Sequence, residues 1–147
     1  MDISVGDVII AKYFRSYELL NPGLSFYSDD QEGVQVGIWN YDRGKILEPH
    51  IHNSIEKLSH RTSEVLFIIS GSIHADIYDD EGGITSEIEL NAGDVLICLK
   101  GGHGYRILEQ GTQVLEVKNG PYFGPELDRR RIKSKCLQTP DTEAAIK

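Results

Sequence analysis

The chain of 147 residues carries 15 lysines and arginines against 23 acidic residues, a formal net charge of −8, which argues against a phosphate-coated partner such as DNA. With 39% hydrophobic and 26% charged residues it reads as a globular chain with room for one core and not two. No stretch approaches the apolar length of a membrane span. The opening MDISVGDVIIAKYF lacks the basic start, long apolar run and small-residue cleavage site of a secretory signal.

Short apolar segments separated by turn chemistry follow one another along the chain. Val8-Ile9-Ile10 and Leu24 to Tyr27 predict early strands. Val34, Val36 and Ile38 alternate with Gln35, Gly37 and Trp39, the period of a half-buried strand. Asp42 to Lys45 marks a turn, and residues 53–63 (NSIEKLSHRTS) form a polar loop. Val65 to Ile69 is continuously apolar, which predicts a central strand ending at Ser70-Gly71. Ile73, Ala75 and Ile77 alternate up to the Asp79 to Gly83 hairpin turn.

Ile84 to Leu90, Val95 to Leu99, His103 to Leu108 and Val114 to Val117 complete the series, with turns at Asn91 to Asp94 and Glu109 to Gly111. No helical period exceeds about two turns, so the chain reads as all-β, a sandwich or barrel of jelly-roll type. Gly120 to Arg131 is expected to pack along the barrel, and the last ten or so residues to be mobile. Cys98 lies inside the apolar run Val95 to Leu99 and reads as a buried thiol; with Cys136 it shows no metal-type spacing. A reducing cytoplasm is the expected location.

The five histidines stand at 50, 52, 60, 74 and 103. On a strand, His50 and His52 would point to one face and present two imidazoles side by side, as a metal requires. Two surface histidines are an equal alternative for such a pair taken alone. His74, opposite the face of Ile73 and Ala75, reads as structural.

The spacing around the pair carries more. Gly44, His50 and His52 stand as G-x5-H-x-H, and Glu64 and Gly71 as E-x6-G. Gly93, Gly101 and His103 follow as a second element, with Leu99 where that motif has proline and His103 one residue early. These segments resemble the two motifs of the cupin superfamily, and they run from Gly44 to about Val117. Eleven residues rather than three or four separate His52 from Glu64, so residues 53–63 read as an insertion at the barrel mouth. Glu56 meets the shorter spacing but lacks the apolar strand and glycine that follow Glu64. The stretch GGHGYRILEQGTQVLEVKNGPYFG resembles small bacterial cupins often tied to surface-polysaccharide genes.

The resemblance implies one cupin domain over residues 1–147: N-terminal strands in 1–43, a motif-bearing core at about 44–118 and a C-terminal extension in 119–147. It implies a jelly-roll (double-stranded β-helix) barrel holding one divalent transition metal ion (Fe, Mn, Zn, Ni or Co) through His50, His52, Glu64 and His103. Such a site leaves open positions for a small-molecule ligand. Tyr105, two residues from His103 on the same strand face, and His60, in the inserted loop, are the candidate acid–base groups. A packing tyrosine and a solvated loop histidine are the plain alternatives.

Three functions follow as expectations. The first is an isomerase or epimerase acting on a sugar or nucleotide-sugar, the second an Fe(II)-dependent dioxygenase, and the third a non-catalytic metabolite- or metal-binding module. Family habit implies a homodimer, with no nucleic-acid and no membrane partner. Arg129-Arg130-Arg131 with Lys133 and Lys135 reads as a solvated tail or a contact to an anionic ligand or partner subunit.

Overall fold

The alternating segments form antiparallel strands in the computed structural model, which describes residues 1–132. The described strands are β1 (Asp2–Val5), β2 (Val8–Phe14), β3 (Gly23–Phe26), β4 (Gly37–Asn40), β5 (Glu64–Ser70), β6 (Ser72–Tyr78), β7 (Ile84–Asn91), β8 (Val95–Cys98), β9 (Gly102–Ile107) and β10 (Gln113–Lys118). A single helical turn, α1 (Pro125–Asp128), follows them. The expected mobility of the last ten or so residues, and the reading of Cys136, Lys133 and Lys135, lie outside the described residues.

Three sheets are built from these strands. Five strands pair in the order β1-β2-β8-β5-β10, three in the order β7-β6-β9, and β3 pairs with β4 alone. All pairings are antiparallel, and among the described residues they do not close into a ring. The chain is therefore all-β, in two larger layers with their inward faces joined. Leu66, Ile68, Leu96 and Cys98 of the five-stranded sheet share one core with Ile73, Ala75, Ile77, Ile88 and Leu90 of the three-stranded sheet. Each fully buried aliphatic side chain of this kind contributes about 1.5–3 kcal/mol.

β8 is the strand buried on both faces. All four residues of its VLIC run are buried, Val95 and Ile97 packing with Phe14, Tyr27 and Val65 behind the sheet. The expectation of a central strand at Val65 to Ile69 is corrected in one respect. Leu66 and Ile68 are buried, whereas Phe67 and Ile69 face outward, 39% and 52% exposed. The last strand leaves Leu115 and Val117 on the same outer face.

Three local differences have physical reasons. β1 is too short to show a period, and its pairing with β2 makes it a strand. Val34 to Val36 lies outside any strand, although the Val36 carbonyl still accepts a bond from the Tyr27 amide at 2.8 Å. Residues 41–63 contain no strand, so His50 and His52 are not set side by side by strand alternation.

Two features position the ends of the sheets. Asp94, buried at the turn before β8, accepts bonds from the Arg15 guanidinium at 2.7 Å, the Ser16 amide at 2.9 Å and the Asn91 amide at 3.0 Å. Gly101, at φ +71°, enters β9 with its Cα turned against the Tyr78 carbonyl, where a Cβ would collide with backbone.

Candidate active site

A buried carboxylate is the centre of the site. Glu64 opens β5 and is only 2% exposed, so its charge must be met by partners inside the protein. The ladders supply them. Glu64 stands opposite Cys98 on β8 and opposite Lys118 on β10, which sets three polar or thiol side chains in one row across three strands. The Lys118 ammonium lies 3.0 Å from Glu64 Oε2 and 2.9 Å from Glu116.

The other layer closes the arrangement. Alternation along β9 turns His103 and Tyr105 to the same face, opposite Ile77 and Ala75 of β6. His103 Nε2 reaches Glu64 Oε2 at 3.3 Å, and the Tyr105 hydroxyl donates to Glu64 Oε1 at 3.2 Å. The two rings stack with centroids 5.0 Å apart and 17° between planes. The Cys98 sulfur lies 3.7 Å from the Tyr105 oxygen.

These contacts set the protonation states. Burial pushes the Glu64 carboxyl up, but hydrogen bonds and charge from His103 and Lys118 outweigh it and hold it down at about 2. Burial opposes the charged form of His103, yet bonding to Cys98 and Glu64 raises it to about 10. Burial first, then the charges of Cys98 and Glu64, pushes the Tyr105 phenol well above its ordinary value. At neutral pH the trio is a carboxylate, an imidazolium and a neutral phenol.

All three line one cavity of about 920 Å³, with His60 and Arg61 on its rim and the segment after Asn119 along another side. The His103 side chain is 32% exposed, so solvent reaches the trio through this opening. The rim is tied to the C-terminal segment. The Asn119 carboxamide bonds the Ser63 amide, the Ser59 hydroxyl and the Arg61 carbonyl, and Thr62 donates to Asp128 at 2.9 Å.

Of the sequence-derived residues, Glu64, His103, Tyr105 and His60 therefore share the cavity wall. His50 and His52 do not line it; both are exposed, with ring centroids 4.9 Å apart, and His50 Nδ1 lies 3.1 Å from the Glu48 carbonyl. Glu64 and His103 fit a divalent transition ion in donor type. Among the described residues they have no third histidine, cysteine or acidic donor grouped with them within 4.8 Å. The described group with that spacing is His74, Asp76 and Glu87, on the opposite face of β6 and β7, with His74 Nε2 2.8 Å from Asp76.

Sequence reasoning missed Lys118 and Cys98 as partners of this centre. Glu116 and Lys118 face inward on β10, where Val114 continues the core, and two inward polar residues at a strand end were the available signal. No helix among the described residues is long and apolar enough to cross a membrane. Comparison with protein-family models, curated proteins and solved structures finds no match.

Proposed function

We propose that this chain is a jelly-roll barrel of the cupin type and an isomerase- or epimerase-type enzyme acting on a small polar metabolite such as a sugar or nucleotide-sugar. The observation that carries the reading is the convergence of Glu64, His103 and Tyr105 on one cavity large enough for such a ligand. Isomerisation beside a carbonyl removes a proton from carbon and returns one at another position. Tyr105 keeps its proton through neutral pH and serves as the donor. The ionised Glu64 carboxylate beside it is the group that can accept the proton taken from carbon. A pocket with two such groups favours catalysis over a binding-only module, and no observation favours oxygen chemistry.

The proposed metal is one divalent transition ion held by Glu64 and His103; His50 and His52, which lie outside the cavity wall, would complete the set only with residues 41–63 folded over it. When bound the ion would polarise a substrate carbonyl. In its absence Lys118 and the imidazolium of His103 neutralise Glu64, so uptake must displace the His103 proton. A homodimer is also proposed; the outward Phe67, Ile69, Leu115 and Val117 supply an uncovered apolar face.

Elemental analysis of protein purified without chelator or metal-affinity resin tests the metal. Near-stoichiometric iron, manganese, zinc, nickel or cobalt, lost in Glu64→Gln and His103→Ala, is the expected result. Absence of metal, with no uptake on adding Zn²⁺, Mn²⁺ or Fe²⁺, would leave a metal-free acid–base centre. Failure of Tyr105→Phe to alter turnover of a responsive sugar would remove the proton-transfer role.

A further inference from the structure

The chain has a net charge of −8, yet the cavity wall holds six of its 15 lysines and arginines and only three of its 23 acidic residues. Those three carboxylates are engaged. Glu64 meets His103, Tyr105 and Lys118, Glu116 meets Lys118, and Asp128 accepts from Thr62. Arg61 pairs with Asp80 at 2.8 Å, and Arg130 donates to the Asp80 carbonyl. Lys100, Arg129 and Arg131 have no carboxylate partner among the described residues.

Arginines on a loose solvated tail carry no such message, but this segment is held in place. The Asp128–Thr62 and Arg130–Asp80 bonds fix it on both sides of Arg129. The end of the Ile132 side chain lies against Gly102. Three uncompensated cations are thus kept on a concave wall, where their fields add and attract an anion. Guanidinium groups present paired donors that match the oxygens of a phosphate, and several cations together suit its double charge better than a single carboxylate.

We infer that Lys100, Arg129 and Arg131 form a subsite for the phosphate group of a phosphorylated small molecule, whose uncharged part reaches toward Glu64, His103 and Tyr105. The phosphate subsite stands on the charge distribution alone; only the direction of the rest of the ligand rests on the proposed function. The cavity volume of about 920 Å³ accommodates a phosphate and an attached metabolite together.

Calorimetric titration of inorganic pyrophosphate into the full, metal-free chain tests the subsite. Wild type should bind it with saturation, and Arg129→Gln/Arg131→Gln should weaken binding at least tenfold with an unchanged melting temperature. Lys100→Gln, on the rigid side of the wall, should weaken it about threefold and serves if the double variant fails to fold. Arg43→Gln/Lys45→Gln, which removes two cations away from the cavity, should bind like wild type. No saturable binding to wild type, or equal losses in the cavity and control variants, would overturn the subsite. His50→Ala/His52→Ala should bind pyrophosphate like wild type whatever its metal content, which separates failure of this inference from failure of the metal site.

Discussion

His103 Nε2 and Glu64 Oε2 lie 3.3 Å apart across the two layers of the protein, an imidazolium on an edge strand held against a carboxylate buried in the facing sheet. Their charges are mutually dependent, and Glu64→Gln should release the histidine. Bonding to Cys98 and Glu64 pushes the metal-free His103 ring up to about 10, and in the variant its titration should move down toward the ordinary imidazole range. NMR titration of the ring protons reads this directly; an unchanged midpoint would assign the shift to Cys98 instead.

The same pair predicts a pH profile of stability in the absence of metal. His103 is raised from its ordinary value near 6.5, so its contribution is complete below that pH and is lost as pH rises toward about 10. Glu64 is lowered from near 4.5, so its contribution is complete above that pH and is lost as pH falls toward about 2. Urea midpoints should therefore form a plateau between pH 4.5 and 6.5 and decline on either side. A midpoint that keeps rising from pH 7 to 9 would contradict this.

His50→Ala/His52→Ala should remove most bound metal while the circular-dichroism spectrum stays that of a β protein, because neither ring belongs to the core. At pH 8, uptake of Zn²⁺ by the apo wild type should release about one proton, the one displaced from His103. His74→Ala should leave metal content unchanged if the cavity is the site. Loss of metal in that variant would move the ion to His74, Asp76 and Glu87.

How far the residues themselves disclosed this arrangement is uneven. Period-two alternation marked β6, since Ile73, Ala75 and Ile77 all turn to the core. Glu64, His103 and Tyr105 were legible because motif spacing and alternation both aim them inward. His50 and His52 were read from a strand geometry that residues 41–63 do not adopt. Lys118 drew no notice because a lysine ending a strand is ordinary taken alone; only its inward alternation with Glu116 hinted at it, and what distinguishes it is its pairing with a residue 54 positions earlier. Arg129 to Arg131 read as a tail because no local pattern reveals bonds to Thr62 and Asp80.

Gly101→Ala should be costly out of proportion to one methyl group. The residue sits at positive φ with a Cβ aimed at the Tyr78 carbonyl, so the start of β9 must move. A loss of about 2–4 kcal/mol is expected, with the raised His103 titration lost as well. Gly111→Ala, also at positive φ but facing open space, should cost only about 1 kcal/mol. Equal losses in denaturant titrations of the two would show that strain and not contact dominates at Gly101.

Asp94→Ala should destabilise by about 2–4 kcal/mol, because it leaves two backbone amides without their acceptor and the Arg15 guanidinium with the Glu89 carbonyl in place of its carboxylate. Metal content measured on the folded fraction should not change. A loss below 1 kcal/mol would mean that water replaces the carboxylate.

The row formed by Cys98, Glu64 and Lys118 has a bearing on how the chain finds its alignment. If β10 slid by one residue against β5, Val117 would face the Glu64 carboxylate, and the Lys118 ammonium would point to the outer surface. The buried charge would then keep the His103 imidazolium but lose its lysine, an error that hydrophobic pairing alone would tolerate, since Val114, Leu115 and Val117 are similar in bulk. The ion pair thus acts as an indexing pin for the last strand. The groups that equip the cavity also proofread the sheet, so their removal should be read first as misalignment and only then as lost chemistry.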